Sequence, residues 1–326
     1  MKPDANAPVL CVGILVADLF VPLLARLPVA GELIATEDFL VQPGGCAANS
    51  AIALRRLDVA PAVVGRVGDD LFGDLVERYL RERGIDTGGV ARTAGYGTSK
   101  TVILPVLDED RRFIHTFGAN AALTAADIAS TSLEAAEVIY VGGYLVLPGL
   151  HQGDLAERFL LAREHGTHIV LDVVVPSGHA DLSVDAVREL LPLADFFLPN
   201  EDEARALTGE AEPRRQAERL LEAGARTVVI KRGERGVFVH DGDEAFELPA
   251  PPVEAVEPSG AGDAFAAGLI LGILEGWELE RSVRFASVIG GSACTALGCY
   301  AGVFSRDEAD RFIAEHASWA REVLRS

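Results

Sequence analysis

The chain has 326 residues, of which 49% are hydrophobic and 24% are charged, a composition typical of a globular protein and not of a disordered one. Its formal net charge of -20 argues against nonspecific binding to nucleic acid or to an anionic membrane surface. The four cysteines form no Cys-x-x-Cys pair, and no stretch has the pattern of a signal peptide or a membrane span. We therefore expect a cytoplasmic protein with reduced thiols.

The first third of the chain alternates between strand-like and helical segments. Residues 9–17 form an apolar, largely aliphatic run that predicts a buried strand, and Asp18 follows it. A carboxylate at the carboxyl end of a parallel strand lies where α/β sheets bind ligands. Residues 31–41 alternate loosely, and then a helix over 47–57, a strand over 60–67 and a helix over 71–83 are predicted.

A hairpin is predicted in the next segment. Residues 99–107 and 113–117 are strand-like runs joined by the polar turn Asp108-Glu109-Asp110-Arg111. This pattern indicates two antiparallel strands that interrupt the strand and helix alternation. Because charged residues near such a turn are ordinarily solvated, we favour that interpretation for Arg111, Arg112 and His115 over a role as phosphate ligands.

From residue 137 onward the alternation becomes regular. Strands are predicted over residues 138–142, 168–175, 196–198 and 227–231, and helices over 153–164, 183–191, 201–223, 264–276 and 282–297. Repeated strand and helix units with short connections imply a mostly parallel sheet covered by helices on both faces. The sequence therefore predicts one doubly wound α/β domain over residues 1–326.

The stretch Glu257-Pro258-Ser259-Gly260-Ala261-Gly262-Asp263 runs directly into one of these helices. The first N–H groups of a helix suit a phosphate or a developing oxyanion, and glycines let a ligand approach the backbone closely. Asp263 would stand beside this anion site as a general base for an attacking hydroxyl. The alternative is an ordinary helix start, with Ser259 as N-cap and Asp263 complementing the helix dipole.

Three motifs carry a family resemblance. Pro258 to Asp263 resembles the C-terminal signature of the ribokinase-like carbohydrate kinases, the phosphofructokinase B family, and Gly44-Gly45-Cys46-Ala47-Ala48-Asn49 resembles its N-terminal signature. Asn200-Glu201-Asp202-Glu203 is similar to the family's Asn-x-x-Glu motif. The resemblance spans nearly the whole chain. It implies a ribokinase-like fold with a small β-sheet lid, contributed by about residues 30–43 and 91–118.

On the substrate side, the resemblance implies that a hydroxylated ligand is bound by Asp18, Gly44, Gly45 and Asn49. A carboxylate can hold two sugar hydroxyls, glycines let a ligand pack against bare backbone, and the Asn49 amide offers a donor and an acceptor. Capping and turn roles are the alternatives for Asp18 and the glycines. Cys46 occupies a position where ribokinases and several relatives carry lysine, so the resemblance does not single out ribose.

On the nucleotide side, the resemblance implies ATP as phosphoryl donor and Mg²⁺ as its metal ion. Glu203 would act on Mg²⁺ directly or through water, although a helix N-terminus with acidic residues also explains Asn200 to Glu203. Nucleotide contacts are implied for Asn200, Lys231, Gly233, Gly236 and Gly298. An ordinary hairpin turn is the alternative for residues 231–236. Glu257 replaces an aspartate that relatives commonly link to a monovalent cation such as K⁺.

The implied activity is transfer of the γ-phosphoryl group of ATP to a hydroxyl of a sugar or sugar-like substrate. Asp263 would be the general base, and the backbone of Gly260, Ala261 and Gly262 would stabilise the transferring group. Two alternatives stay open, a nucleoside kinase and a catalytically silent sugar-binding regulator. Because a small sheet with an apolar face is hard to stabilise alone, we also expect a homodimer through the lid.

Overall fold

The computed structural model describes residues 7–107, 109, 111–176 and 182–325, so Asp108 and Asp110 of the predicted hairpin turn lie outside the described residues. Within these ranges the strands are β1 Val9–Gly13, β2 Val16–Phe20, β3 Leu40–Gly44, β4 Pro61–Gly68, β5 Asp86–Thr93, β6 Ser99–Leu104, β7 Arg112–Thr116, β8 Val138–Gly142, β9 His168–Leu171, β10 Phe196–Phe197, β11 Thr227–Lys231, β12 Val237–His240, β13 Ala245–Leu248 and β14 Leu324–Arg325. The α-helices of the same ranges are α1 Cys46–Arg56, α2 Leu71–Glu82, α3 Ser130–Ala135, α4 Gln152–Glu164, α5 Glu201–Thr208, α6 Pro213–Glu222, α7 Ala261–Leu274, α8 Leu279–Ala293 and α9 Arg306–Glu315. None of these described helices combines the length and hydrophobicity that crossing a membrane requires.

The larger sheet is mostly parallel, with the strand order β14-β13-β12-β11-β10-β9-β8-β1-β4-β5. Neighbours from β11 to β5 are parallel, and β12 to β14 extend one edge in antiparallel pairing. Because side chains alternate between faces, Val9 and Cys11 enter one apolar core and Leu10 and Val12 enter another. Helices α1, α7 and α8 pack in the first core, and α4, α5 and α6 pack in the second. The predicted doubly wound fold is confirmed.

A separate sheet of four strands has the order β3-β2-β6-β7. Strands β6 and β7 form the predicted antiparallel hairpin. The segment predicted near residues 31–41 contributes β3, although regular strand begins only at Leu40. Strand β2 corrects the sequence prediction, which treats residues 9–17 as one strand and places Asp18 at its end. Asp18 instead lies in the middle of β2, in the small sheet.

The chain leaves the large sheet between β1 and β2. Gly13 approaches β8 so closely that an added Cβ would lie 2.3 Å from the Gly142 carbonyl oxygen. Leu15 lies two residues after Gly13. The buried Asn120 side chain accepts the Leu15 N–H at 3.0 Å and donates to the Leu15 carbonyl at 2.9 Å. The Asn120 amide therefore satisfies the Leu15 backbone at the point where the chain changes sheets.

Other helix and strand boundaries differ where glycine and proline intervene. The helix predicted over residues 201–223 is two helices, because Gly209 adopts a left-handed φ of 74° and Pro213 begins α6. The segment predicted as a helix over residues 183–191 contains a 3-10 turn, Val184–Ala186, followed by further turns. Pro192 disfavours helical backbone at Leu191. Helix α7 begins at Ala261, so the glycine-rich stretch contributes its first turn.

The two bonds from Asn120 to Leu15 generate a stability prediction. Asn120→Ala removes both bonds and leaves buried backbone groups unsatisfied, so we expect the free energy of unfolding to fall by about 1–3 kcal/mol. Urea unfolding followed by circular dichroism measures the change. Gln152→Ala is the control, because this amide also makes two backbone hydrogen bonds, to the Asp185 carbonyl and from the Glu189 N–H, but both are exposed and water can replace them. Equal unfolding free energies for the two variants would contradict the role given to Asn120.

Candidate active site

A cleft of about 610 Å³ lies at the ends of β9 and β11 and the start of α7. It is lined by nine of the predicted site residues: Asp263, Gly260, Ala261, Gly262, Asn200, Glu203, Lys231, Gly233 and Gly236. Small and apolar residues such as Pro251, Val253, Ala255, Gly290 and Gly291 contribute to the wall. The cleft is therefore at the carboxyl edge of the parallel strands, where α/β folds bind ligands.

Gly260 places the first turn of α7 in the cleft. Its φ of 77° is left-handed, and an added Cβ would lie 2.2 Å from the Cys299 carbonyl oxygen, so the turn requires glycine. Gly260 is the N-cap of α7, and no side chain caps this helix start, so the alternative of Ser259 as N-cap is wrong. The Ala261 N–H donates to the Pro258 carbonyl oxygen at 3.3 Å. The positive end of the helix dipole points at the cleft.

Asp263 lies in the first turn of α7 and is held from the start of α1. Asn49 Nδ2 donates to Asp263 Oδ2 at 2.8 Å, and the Ser50 hydroxyl donates to the Asp263 backbone carbonyl at 3.1 Å. Burial raises the pKa of Asp263, while the hydrogen bond from Asn49 and the charge of Lys231 oppose the rise. The carboxylate is therefore fixed in direction and is a stronger proton acceptor than a solvated aspartate.

The Lys231 ammonium lies among carboxylates in the cleft. Its Nζ bonds to Asp172 Oδ2 at 2.7 Å, and an added Cβ at Gly262 would lie 3.2 Å from Nζ. Burial disfavours the charged ammonium, but Asp172 and Glu203 outweigh this effect and raise the pKa of Lys231. Burial also raises the pKa values of Asp172 and Glu203, with Lys231 opposing both rises. The carboxylates outnumber the lysine, and this surplus favours an additional cation.

Asn200 and Glu203 form the capped start of α5 and also line the cleft. The Glu203 N–H donates to Asn200 Oδ1 at 2.8 Å, and the Asn200 N–H donates to Glu203 Oε2 at 2.7 Å. This is a capping box, so the structural alternative for the motif is correct. A carboxylate has about four lone-pair sites, so the Glu203 oxygens keep capacity for a metal ion or its water. Both roles are compatible.

The turn between β11 and β12 carries two glycines with predicted nucleotide contacts. Gly233 and Gly236 have left-handed φ values of 56° and 80°. An added Cβ at Gly236 would lie 2.0 Å from the Leu248 carbonyl oxygen. Strands β11 and β12 are antiparallel, so the hairpin-turn alternative describes the local structure correctly, and the same turn lines the cleft.

A polar row crosses the small sheet at Asp18. The strand register aligns one polar residue from each strand: Gln42, Asp18, Thr101 and His115. Burial raises the pKa of Asp18 to about 6, and hydrogen bonds from Thr101 and Cys299 oppose this rise. Thr101 Oγ1 lies 3.0 Å from His115 Nδ1. Because residues aligned across a sheet share a face, the row presents donors and acceptors together.

The N-terminal glycine motif joins the polar row to Asp263. An added Cβ at Gly44 would lie 1.8 Å from Asp18 Oδ2, and Gly45, with a φ of 89°, is the N-cap of α1. Asn49 Oδ1 and Gln42 Nε2 are buried and have no hydrogen-bond partner among the described residues. Because unsatisfied buried polar atoms are costly, each of these two atoms is a candidate to bind a ligand.

Of the residues predicted to contact the nucleotide or a cation, two are not among the described residues that line the cleft. Gly298 packs against Gln42, where an added Cβ would lie 2.8 Å from Nε2, and it is not among the described residues that line the cleft. This geometry does not support the nucleotide contact predicted for Gly298. Glu257 forms an ion pair with Arg111, which corrects the interpretation of Arg111 as a solvated hairpin charge. A monovalent cation at Glu257 stays a prediction.

The site thus combines a cleft at the end of the large sheet with a polar row on the small sheet, and Asn49 of the glycine motif is hydrogen-bonded to Asp263 in the cleft. Residues 6–305 match the model of the pfkB family carbohydrate kinases, and the chain belongs to that family. This membership confirms the resemblance found in the sequence. It also confirms the predicted enzyme class, an ATP-dependent carbohydrate kinase.

Individual relatives share about a quarter of their residues with this chain. A ribokinase from Lactococcus lactis subsp. lactis is 28% identical over 283 residues, covering 85% of this chain and 88% of its own length. A 5-dehydro-2-deoxygluconokinase from Clostridium tetani is 25% identical over 289 residues, covering 83% and 84%. A crystal structure of a putative ribokinase II from E. coli, in complex with ATP and Mg²⁺, has a TM-score of 0.81 at 25% identity, covering 95% of this chain and all of that one. The different names of these relatives leave the sugar open.

Sequence reasoning missed several residues that complete the site. Asp172 interrupts an apolar run directly after Leu171, and a carboxylate at the end of a strand is a signal that identifies it. Gln42 and Thr101 carry no comparable signal, because their place beside Asp18 depends on strand register. Cys299 Sγ lies 3.7 Å from Asp18 Oδ2 across a separation of 281 residues, which no local pattern spans.

Proposed function

We propose that this protein transfers the γ-phosphoryl group of ATP to a hydroxyl of a sugar or sugar-like molecule. One observation carries the proposal. Asp263 lines the cleft and is also hydrogen-bonded by Asn49, which belongs to the glycine motif beside Asp18. A carboxylate in this place touches both a nucleotide in the cleft and a second molecule on the polar row. Phosphoryl transfer requires this juxtaposition, because positioning supplies much of the rate enhancement.

In this proposal the nucleotide occupies the cleft at the end of the large sheet. Its volume of about 610 Å³ suits a ligand of this size, and its small apolar wall suits an adenine ring. Lys231 and the turn at Gly233 and Gly236 border the phosphates. The helix start at Gly260, Ala261 and Gly262 offers N–H groups to the transferring phosphoryl group, where its charge is stabilised without reorganisation.

The acceptor hydroxyl lies beside Asp263 in this proposal. As its oxygen forms a bond to the γ-phosphorus and the bond to ADP breaks, Asp263 takes the hydroxyl proton. Asn49 holds Asp263 through one amide hydrogen and keeps Oδ1 available to the acceptor. Asp18, Gln42 and Thr101 would orient the remaining hydroxyls, since the row offers a carboxylate, an amide and a hydroxyl on one face.

Magnesium is proposed at the carboxylates around Lys231. Glu203 and Asp172 are hard oxygen donors in a region with surplus negative charge, which fits this ion. The described residues hold no group of three or more His, Cys, Asp or Glu side chains that would bind a metal alone. This agrees with an ion held by one or two carboxylates, water and substrate phosphates. When bound, Mg²⁺ neutralises charge on the phosphates.

The small sheet acts as the lid in this proposal. Strands β6 and β7 lie within the predicted lid segment at about residues 91–118, β3 lies largely within the one at about residues 30–43, and β2 is an addition to both. The polar row lies on the face that carries Asp18, so a sugar bound there is covered by the sheet. Covering the sugar excludes water, which would otherwise compete for the phosphoryl group.

A nucleoside is a second acceptor class that one observation favours. Phe113 and His115 are two residues apart on β7, so their rings share the face of Asp18. Aromatic rings at that position suit a nucleobase. A silent sugar-binding regulator is the third candidate, and the complete stretch from Gly260 to Asp263 argues against it.

The assignment of Asp263 is tested by ADP release from Mg-ATP with a panel of sugars, sugar acids, sugar phosphates and nucleosides. Asp263→Asn should retain ATP binding and lose on the order of 10²-fold or more in turnover, the usual contribution of a positioned general base. Asp154→Asn, at an exposed position on α4, should turn over like the native protein. Full activity of Asp263→Asn would reject Asp263 as the base. Sugar binding without ADP release across the panel would favour the regulator.

Sugar binding should depend on pH through Asp18. Burial raises the pKa of this group to about 6, so its carboxylate is charged above that pH and protonated below it. Because the charged form is the better hydroxyl acceptor, affinity for the panel sugar should fall as the pH falls through about 6. Calorimetric titration without ATP measures the affinity. Asp18→Asn should bind weakly on both sides of this pH, and unchanged affinity in that variant would contradict the assignment.

We also propose that the protein forms a homodimer through the small sheet. The row next to the polar row aligns four apolar residues across the strands: Val41, Leu19, Val102 and Ile114. Alternation places this row on the opposite face of the sheet, and Val41 and Ile114 are 41% and 64% exposed. A second copy of the sheet would cover this apolar row, because a matching face is available on every copy.

The dimer is tested by light scattering. Ile114→Asp places a charge in the proposed contact, at an exposed position, and should convert a dimer into a monomer without unfolding it. Leu160→Asp is the matched control, because Leu160 is 51% exposed on α4 and lies outside this row. A native protein that is monomeric at the working concentration of the assay would count against this interface.

We further place the protein in the cytoplasm, with small molecules and a second copy of the chain as its partners. The four free cysteines support this placement, because disulfides persist in oxidising compartments. Co-purification of the activity with the cytosolic fraction of the source cells would check this placement.

A further inference from the structure

Arg111 extends from the small sheet to the turn that precedes α7. It stands directly before β7, and its Nη1 forms an ion pair with Glu257 Oε1 and donates to Ser259 Oγ at 2.7 Å. The Arg111 side chain is 24% exposed and the Glu257 side chain is 7% exposed. Because the contact is largely shielded from water, it is worth more than a surface ion pair. The Phe113 ring lies 5.4 Å from the guanidinium carbon and supports its orientation.

Glu257 Oε1 is the centre of a compact set of donors. It accepts the Ser259 N–H at 3.0 Å, the Ser259 hydroxyl at 2.7 Å and the Arg111 guanidinium. Because Ser259 directly precedes Gly260, these bonds fix the backbone as it enters the first turn of α7. The N–H groups of Val256 and Glu257 donate to the Cys294 carbonyl at 2.7 Å and 3.0 Å, which anchors the other end of the same stretch.

We propose that Arg111 is a positioning residue for phosphoryl transfer, acting through Glu257 and Ser259 on the N–H groups of the α7 start. In this role Arg111 touches neither substrate. Its loss would leave the buried Glu257 carboxylate without this cation, and the turn at Gly260 would shift. Since Arg111 belongs to the hairpin of the small sheet, the same ion pair couples the position of that sheet to the geometry of the turn. The catalytic part of this inference rests on the proposed function.

Turnover separates this role from a structural one. Arg111→Met should lower kcat with the acceptor found in the panel by roughly 10²-fold, the cost of a small misplacement of catalytic groups, while KM for ATP changes little. Arg112→Met is the matched control, because Arg112 is the next residue and pairs with Glu109 at the surface. It should keep the native kcat. Native kcat in Arg111→Met, or equal losses in both variants, would overturn the proposal.

The contact itself is tested without turnover. Arg111→Met and Glu257→Gln are made singly and together, and urea unfolding of the ligand-free protein is measured for each variant. The double variant should be less destabilised than the sum of the two single variants, because either change alone removes the same ion pair. Additive effects would overturn the coupling of Arg111 to the turn. Absence of any acceptor in the panel would reject the proposed function while leaving this cycle valid, so the two failures are distinguishable.

Discussion

The hydrogen bond from Asn49 to Asp263 is the interaction on which the geometry of the site depends. It joins the starts of α1 and α7, two helices in the same apolar core, so the turns that begin both helices converge on one point. Helix starts carry unpaired N–H groups and the positive end of the dipole, which makes this point favourable for a carboxylate and for an anionic ligand. Gly45 and Gly260, the N-caps of these two helices, both have left-handed backbone, with φ values of 89° and 77°.

Charge imposes a second constraint, because the cleft concentrates carboxylates where a polyphosphate would bind. Burial raises the pKa values of Asp172, Glu203 and Asp263, and Lys231 opposes each rise. One lysine does not neutralise these carboxylates and a triphosphate together. The nucleotide would therefore have to enter with its metal ion, and the helix N–H groups would supply the remaining positive potential. Burial raises the pKa of Asp263 more than Asn49 and Lys231 lower it, so this buried carboxylate can accept a proton.

The parts of the molecule that depend on local sequence are predictable, and the parts that depend on distant contacts are not. The glycine-rich start of α7, the hairpin and the parallel strands follow from turn residues and apolar periodicity over short stretches. The sheet change before Asp18 does not, because the Asn120 amide that satisfies Leu15 is 105 residues away. Arg111 has the pattern of a solvated turn residue, and its partner Glu257 is 146 residues away. Strand register likewise decides which side chains join Asp18.

The connection between the two sheets is short and is held at one residue. Strand β2 follows β1 after two residues, and Asn120 holds the connecting backbone at Leu15. Asp18 lies three residues after Leu15, whereas Arg111 stands directly before the edge strand β7 and pairs with Glu257. The small sheet is therefore tied to the rest of the molecule at two places, at Asn120 close to Asp18 and at Glu257 close to the start of α7. Loss of either contact would disturb a different part of the site, because the two contacts involve different strands of the sheet.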